Sequence, residues 1–256
     1  MGKQKEKERK NFMCLIFQKE KDADLISRAW CENVWSRNND GWGLAYHRPS
    51  NNRLMIKTGM TFDSFWNAFA SLQRLPIDVI VHMRMATQGE ISHANNHPFL
   101  ISERHNIWFM HNGCVDYPEE GEVTGDNFVS MEDLENLPAM EAYGGAGFCD
   151  YWGYSNSYME GPSDTYLLAE RLFKPMLNNM VNANDFIRSE GFAYIVDKVA
   201  GGPSNKFTFH DDRGHILFNR HQWHETSTGI PVSNTYAFSL DSKPSLGYTS
   251  NVKKVG

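Results

Sequence analysis

The chain has 256 residues, enough for one large domain or two small ones, with 41% hydrophobic, 13% aromatic and 22% charged residues and a formal net charge of −6. This balance excludes an intrinsically disordered chain, and no apolar run reaches the roughly 18 residues needed to span a membrane. The opening MGKQKEKERKN lacks the apolar core of a secretory signal, so a cytoplasmic location is expected. Cys14, Cys31, Cys114 and Cys149 form no CxxC pair, which argues against a zinc ribbon or a disulfide framework and leaves a thiol available for chemistry. Between Arg104 and Arg171 there is no Lys or Arg while acidic residues accumulate. Such a surface repels nucleic acid, and reads as an acidic solvated loop or as a docking surface for a basic partner.

In chain order, Phe12 to Phe17 reads as a short buried strand with Cys14 near its start, after a polar tail. Leu25, Ile26, Ala29, Trp30 and Val34 keep helical spacing, predicting a helix from Asp22 to about Trp35 with Asp22 or Asp24 as its cap. Gly43 to His47 and Arg53 to Lys57 flank a Pro49-Ser50-Asn51-Asn52 turn and predict a hairpin. Phe62, Phe65, Trp66, Phe69 and Leu72 mark a second helix starting near Thr61, and the β-branched run from Ile77 to Met83 is a strand, as is Ile107 to Met110. Periodicity vanishes between Val115 and Gly161, too long a stretch for an ordinary connection, and reads as an insertion. Helices are then expected from Ser163 or Asp164 to Phe173 and around Asn184 to Ser189, and strands at Phe192 to Asp197, Phe207 to His210, His215 to Phe218 and Thr235 to Ser239. With no repeat and no Pro- or Ser-rich linker, a single α+β domain over residues 14–256 is expected.

Four segments combine polar or Gly residues with flanking strands: Met13-Cys14, HMRMATQG (His82 to Gly89), HNG (His111 to Gly113) and SDTYLLAERL (Ser163 to Leu172). With NNDGWGLAY (Asn38 to Tyr46) and NNHPF (Asn95 to Phe99), their order resembles the class II glutamine amidotransferases from Met13 to about Phe173. The resemblance implies an N-terminal-nucleophile (Ntn) hydrolase fold, an αββα four-layer sandwich of two antiparallel sheets between helical layers. It implies a stand-alone glutaminase-type domain that hydrolyses the glutamine side-chain amide to glutamate and ammonia through a γ-glutamyl thioester on Cys14. No cofactor is implied.

Amide cleavage needs a nucleophile, a base for its proton and donors for the oxyanion. By resemblance Cys14 supplies the thiol, its own α-amine the base, and the Asn112 side-chain amide with the Gly113 backbone N–H the oxyanion hole. Arg84 would hold the α-carboxylate of glutamine with its planar fork, Thr87 would add a hydroxyl, and Asp164 would accept from the α-ammonium. Taken singly, each has a plainer reading: Cys14 a small buried hydrophobe, Asp164 an N-cap in competition with Ser163, Asn112-Gly113 a hairpin turn, Arg84 a surface ion pair. His97 and His111 read as hydrogen-bonding residues that orient these turns. The spacings of His93 with His97, and of His221 with His224 near His210 and His215, are too loose for a metal site, and none is expected.

Four features depart from the family pattern. Thirteen residues precede Cys14, and a peptide-bonded nitrogen cannot act as a base. Translation from Met13 with removal of that Met, or cleavage of residues 1–13 as a leader, would free it; a retained tail would leave an inactive binding module. Gln88 and Met85 stand where relatives often have His and Trp, Leu15 follows the thiol where Gly is frequent, and the acidic insertion at about residues 117–161 lies where a lid could form. No synthetase, isomerase or phosphosugar domain is expected in the residues after Phe173, and the ammonia is expected to pass to a separate acceptor enzyme. A rival substrate is another γ-glutamyl amide, since Arg84 and Asp164 would recognise only the glutamyl end.

Overall fold

The computed structural model describes residues 13–87, 89–113, 161–200, 205–218, 223–234 and 253–254. The expected strand at Thr235 to Ser239, the tail before Met13, Gln88, Cys114, Cys149, His221 and the insertion through residue 160 lie outside them.

Two antiparallel sheets carry the fold. The first contains β1 (Leu15–Lys19), β2 (Trp42–His47), β3 (Leu54–Gly59), β4 (Val79–Met83) and three two-residue strands near the C-terminus, in the spatial order 253–254, 224–225, 231–232, β1, β4, β2, β3. The second has four strands in the order β5 (Phe99–Ser102), β6 (Ile107–Asn112), β7 (Lys206–Asp211), β8 (Gly214–Leu217). β1 and β4 are buried at every position. A strand of period two that is buried throughout needs apolar partners on both faces. Leu15, Phe17, Leu44, Val79 and Val81 meet Trp30, Val34, Phe65 and Phe69 of α1 (Arg28–Trp35) and α2 (Phe62–Leu72). The alternate residues Ile16, Ala45 and Ile80 meet Met110 of β6 and Trp223. A third cluster joins Phe109, Phe207 and Phe209 to the helical stretch 164–200.

The expected hairpin forms, its strands pairing from Trp42↔Gly59 to His47↔Leu54. α2 starts where expected, with the Thr61 hydroxyl accepting from Ser64 N–H. The first helix is shorter than its spacing implied. Ser27 caps it, accepting from Trp30 N–H at 3.1 Å, and neither Asp22 nor Asp24 does so. Leu25 is exposed, while Ile26 is buried outside the helix because the Gln73 amide grips both its N–H and its carbonyl. That side-chain clasp replaces helical hydrogen bonds.

Residues 192–197, expected as a strand, lie in helix α6 (Glu190–Ala200). Phe192, Ile195 and Val196 are buried at i, i+3 and i+4, so the helical period decides against their β-branched and aromatic character. Before it come α3 (Asp164–Leu168), a π-helical turn at Ala169–Phe173, α4 (Lys174–Asn178) and α5 (Ala183–Phe186). β5 was not anticipated: its Leu100↔Trp108 pairing follows a cis His97–Pro98 bond. Among the described residues no helix is long and apolar enough to cross a membrane.

His82, His97 and His210 are each at most 3% exposed, and burial drives the pKa of each down, that of His82 to about 3. Their folded pKa values lie below the unfolded one, so their neutral burial is compatible with full stability above about pH 6.5 and is penalised as pH falls below it. Each should subtract about 2 kcal/mol at pH 5. The thermal midpoint should be level from pH 7 to about pH 8 and fall steeply between pH 6.5 and 5; a midpoint unchanged over that lower interval would contradict the burial of these rings.

Candidate active site

β1 lies in the middle of its sheet and pairs with β4 through Leu15↔Met83, which sets Cys14 beside Arg84 one step further on. The Cys14 thiol donates to the Met85 carbonyl at 3.3 Å, and Met85 N–H approaches the sulfur at 3.4 Å. Asparagines hold the backbone on either side: Asn38 Nδ2 donates to the Met13 carbonyl at 3.2 Å and Asn234 Nδ2 to the Cys14 carbonyl at 2.7 Å. Burial pushes the Cys14 thiol up to about 11; Met85 N–H and the Arg84 charge pull the other way, and Asp164 and Asp40 add to the rise.

Arg84 is 3% exposed, which excludes a surface ion pair. Its guanidinium donates to the carbonyls of Glu90 at 2.9 Å and Gly89 at 3.3 Å, so it organises the turn that follows its own strand. Burial lowers its pKa, and the charges of Cys14, Asp40, Asp164 and Glu90 oppose that shift. Asp40 supports the same turn, accepting from Ala86 N–H at 2.8 Å while its own N–H donates to the Arg84 carbonyl at 3.0 Å. Thr87 stands exposed on the turn.

A second clamp joins this turn to the start of α3. Asn95, 2% exposed, donates to the carbonyls of Glu90 and Gly161 and accepts from Ser163 N–H at 2.9 Å. Gly89 has φ +73°, and a Cβ there would come within 2.6 Å of Ser163 N, so only glycine fits this junction without a shift. Ser163 is the helix cap, accepting from Tyr166 N–H. Asp164 follows at the first helical position, accepting from Thr165 N–H at 2.7 Å, and its charge acts on Cys14, Arg84 and His111.

Asn112 ends β6, fully buried, and its amide donates to Ser233 Oγ at 2.6 Å. Ser233 Oγ also accepts from Ile16 N–H at 2.9 Å, so Asn112 is tied to the strand that follows Cys14. Gly113 has φ +140°, and a Cβ there would collide with the Asn205 side chain. His111 braces the same strand end, with Nε2 against Asn205 Oδ1 and Nδ1 against Thr165 Oγ1, both at 2.9 Å. Because Asn205 Oδ1 can only accept, Nε2 carries the proton.

The structure therefore gathers Cys14, Arg84 and Asp164 within one electrostatic neighbourhood, and links Asn112 to Cys14's strand through Ser233. Asp40, Asn38, Asn95, Ser233 and Asn234 were not singled out from the sequence. Asn38, Asp40 and Asn95 stood in the quoted NNDGWGLAY and NNHPF segments, whereas Ser233 and Asn234 lie beyond the stretch of resemblance. Among the described residues no group of three or more His, Cys, Asp or Glu could hold a metal ion. His210 and His215 instead face each other, their Nδ1 atoms 2.8 Å apart.

The Cys14 thiol is thus held next to the first residue of a central strand, in the field of a buried guanidinium and two carboxylates. Residues 11–127 match the family model of the class-II glutamine amidotransferases. The matched stretch includes Cys14, Arg84, Thr87, Asn112 and Gly113, and Asp164 lies outside it. Among solved structures, the chain is similar to the glutamine phosphoribosylpyrophosphate amidotransferase of B. subtilis complexed with ADP and GMP. Identity is 15% and the TM-score 0.45, over 88% of this chain and 42% of that one. The chain thus spans less than half the length of that enzyme. No curated protein matches it.

A thiol of pKa about 11 is almost wholly protonated at neutral pH, with about one part in a thousand ionised at pH 8. In a chain that retains Met13, alkylation of Cys14 by iodoacetamide should rise about tenfold per pH unit up to pH ~11. Asp40→Asn and Asp164→Asn should each accelerate it at pH 8, because each removes a charge that opposes the thiolate. Peptide mapping of the labelled chain gives the rate; a plateau by pH 8 would contradict this environment.

Proposed function

We propose that the chain is a glutaminase of the class II amidotransferase type, in which Cys14 attacks the side-chain amide carbonyl of glutamine once its own nitrogen is free. The observation that carries this reading is the convergence of Cys14, Arg84 and Asp164. The free α-amine of Cys14 takes the thiol proton, since an unperturbed α-amine pKa near 7.7–8.0 suits neutral pH. The thiolate adds to the amide carbonyl, and the oxyanion is received by the Asn112 amide and the Gly113 N–H. Collapse expels ammonia, protonated by the same amine, and leaves a γ-glutamyl thioester that water hydrolyses to glutamate. Arg84 and Thr87 hold the substrate carboxylate and Asp164 its ammonium.

The three apolar clusters, one between helices and each sheet and one between the sheets, support αββα layering for this domain. A cytoplasmic site of action and transfer of the ammonia to a separate acceptor enzyme belong to the same proposal. Residues 1–13 are then a leader or an upstream extension whose removal exposes the amine.

Chain beginning at Cys14, released from a cleavable fusion, should liberate ammonia from glutamine, and Cys14→Ala should abolish this. Activity that survives Cys14→Ala, or is equal in the chain retaining residues 1–13, would refute the mechanism. Arg84→Lys keeps the charge but loses the fork, and should raise the KM for glutamine about 10-fold to 100-fold with a smaller effect on kcat. An unchanged KM would remove Arg84 from substrate binding.

A further inference from the structure

A cavity of about 730 Å³ opens between β3 and β5, the edge strands of the two sheets. None of the residues around Cys14 lines it. Its cationic end is at the turn of the β2–β3 hairpin, whereas Cys14 lies near the Trp42 end of that hairpin, about 17 Å away along the strand. The volume falls within the range of small-molecule sites.

The lining has a definite chemistry. Arg48 and Arg53 close the hairpin turn, Arg48 N–H donating to the Arg53 carbonyl at 2.9 Å, so two cationic residues face each other across the turn and both line the cavity. Directly opposed like charges destabilise a hairpin. Among the described residues neither guanidinium pairs with a carboxylate: Arg48 reaches only the Met55 sulfur, and no Asp or Glu lines the cavity. The Asp212 carboxylate stands at the cavity edge, its Oδ1 accepting from Leu54 N–H and the Asn106 amide at 2.8 Å each, and it forms no ion pair with either guanidinium. On the β6 side the half-buried Trp108 indole lines the cavity, its Nε1–H fixed to Asn106 Oδ1 at 2.9 Å. His93 adds a further nitrogen donor at the rim.

We propose that this cavity binds an organic phosphate carrying a planar ring, of the nucleoside monophosphate class, with the phosphate between Arg48 and Arg53 and the ring against Trp108. Two adjacent guanidinium forks suit phosphate oxygens, and their mutual repulsion is relieved when an anion sits between them. An indole fixed by its own hydrogen bond offers a flat face with little freedom left to lose on binding. The site is independent of the chemistry at Cys14.

The test is calorimetric titration of the full chain with AMP, ribose 5-phosphate and inorganic phosphate. AMP should bind saturably and at least tenfold more tightly than either ringless ligand. R48Q/R53Q should weaken AMP binding at least tenfold, with an unchanged circular dichroism spectrum, because both side chains are exposed. Trp108→Leu should erase the preference for AMP over ribose 5-phosphate. Absence of saturable AMP binding, equal affinity for inorganic phosphate, or an R48Q/R53Q variant that binds AMP like the parent would overturn the proposal.

Discussion

The pairing of β1 with β4 sets the position of every group around the thiol. With Leu15 opposite Met83, Cys14 comes to Arg84 and Met85, and the residues after β4 fold back as a turn held by Arg84 itself. A shift of one residue would move Leu15 and Phe17 off the helix-facing core and exchange them with Ile16, which faces Met110. Both faces of β1 are buried, so the register is fixed by two cores at once, and the thiol inherits that rigidity.

Around this pairing the structure uses buried asparagines where backbone would otherwise be unsatisfied. Asn95 joins the 89–90 turn to the start of α3, Asn38 and Asn234 hold the carbonyls flanking the thiol, and Asn205 packs over Gly113 while it orients His111. An Asn offers both donor and acceptor in one short side chain, so each bridges two segments without burying a charge. The charged groups are left few: Arg84 against Asp40 and Asp164, with Cys14 among them. Burial, with a smaller contribution from the two carboxylates, keeps the sulfur protonated, which makes an adjacent proton acceptor the limiting requirement of the proposed chemistry.

Much of the first sheet was legible because its signals are local. The hairpin turn, the aromatic stripe of α2 and the β-branched run of β4 each follow from neighbouring residues. Residues 192–197 were misread because Phe192, Ile195 and Val196 have strand-like side chains at helical spacing, and packing against Phe173 and Phe209 favours the helix. β5 was missed because four residues after a proline carry too little pattern to stand out. In the site, Cys14, Arg84, Asn112 and Asp164 were visible through the order of their motifs. Asp40, Ser233 and Asn234 were not singled out, because they act on Cys14 and its strand from distant positions, Asp40 through its charge and the other two through bonds to the backbone of residues 14–16.

The account depends on a thiol that recognises the glutamyl group only when its own nitrogen is liberated. Intact-mass and peptide mapping after exposure to a γ-diazoketone analogue of glutamine reads this in a single step. The account predicts one covalent adduct, on Cys14, in chain that begins at that residue, suppressed by excess glutamine and absent while residues 1–13 remain attached. An adduct on Cys31, or labelling of Cys14 that glutamine does not suppress, would contradict it.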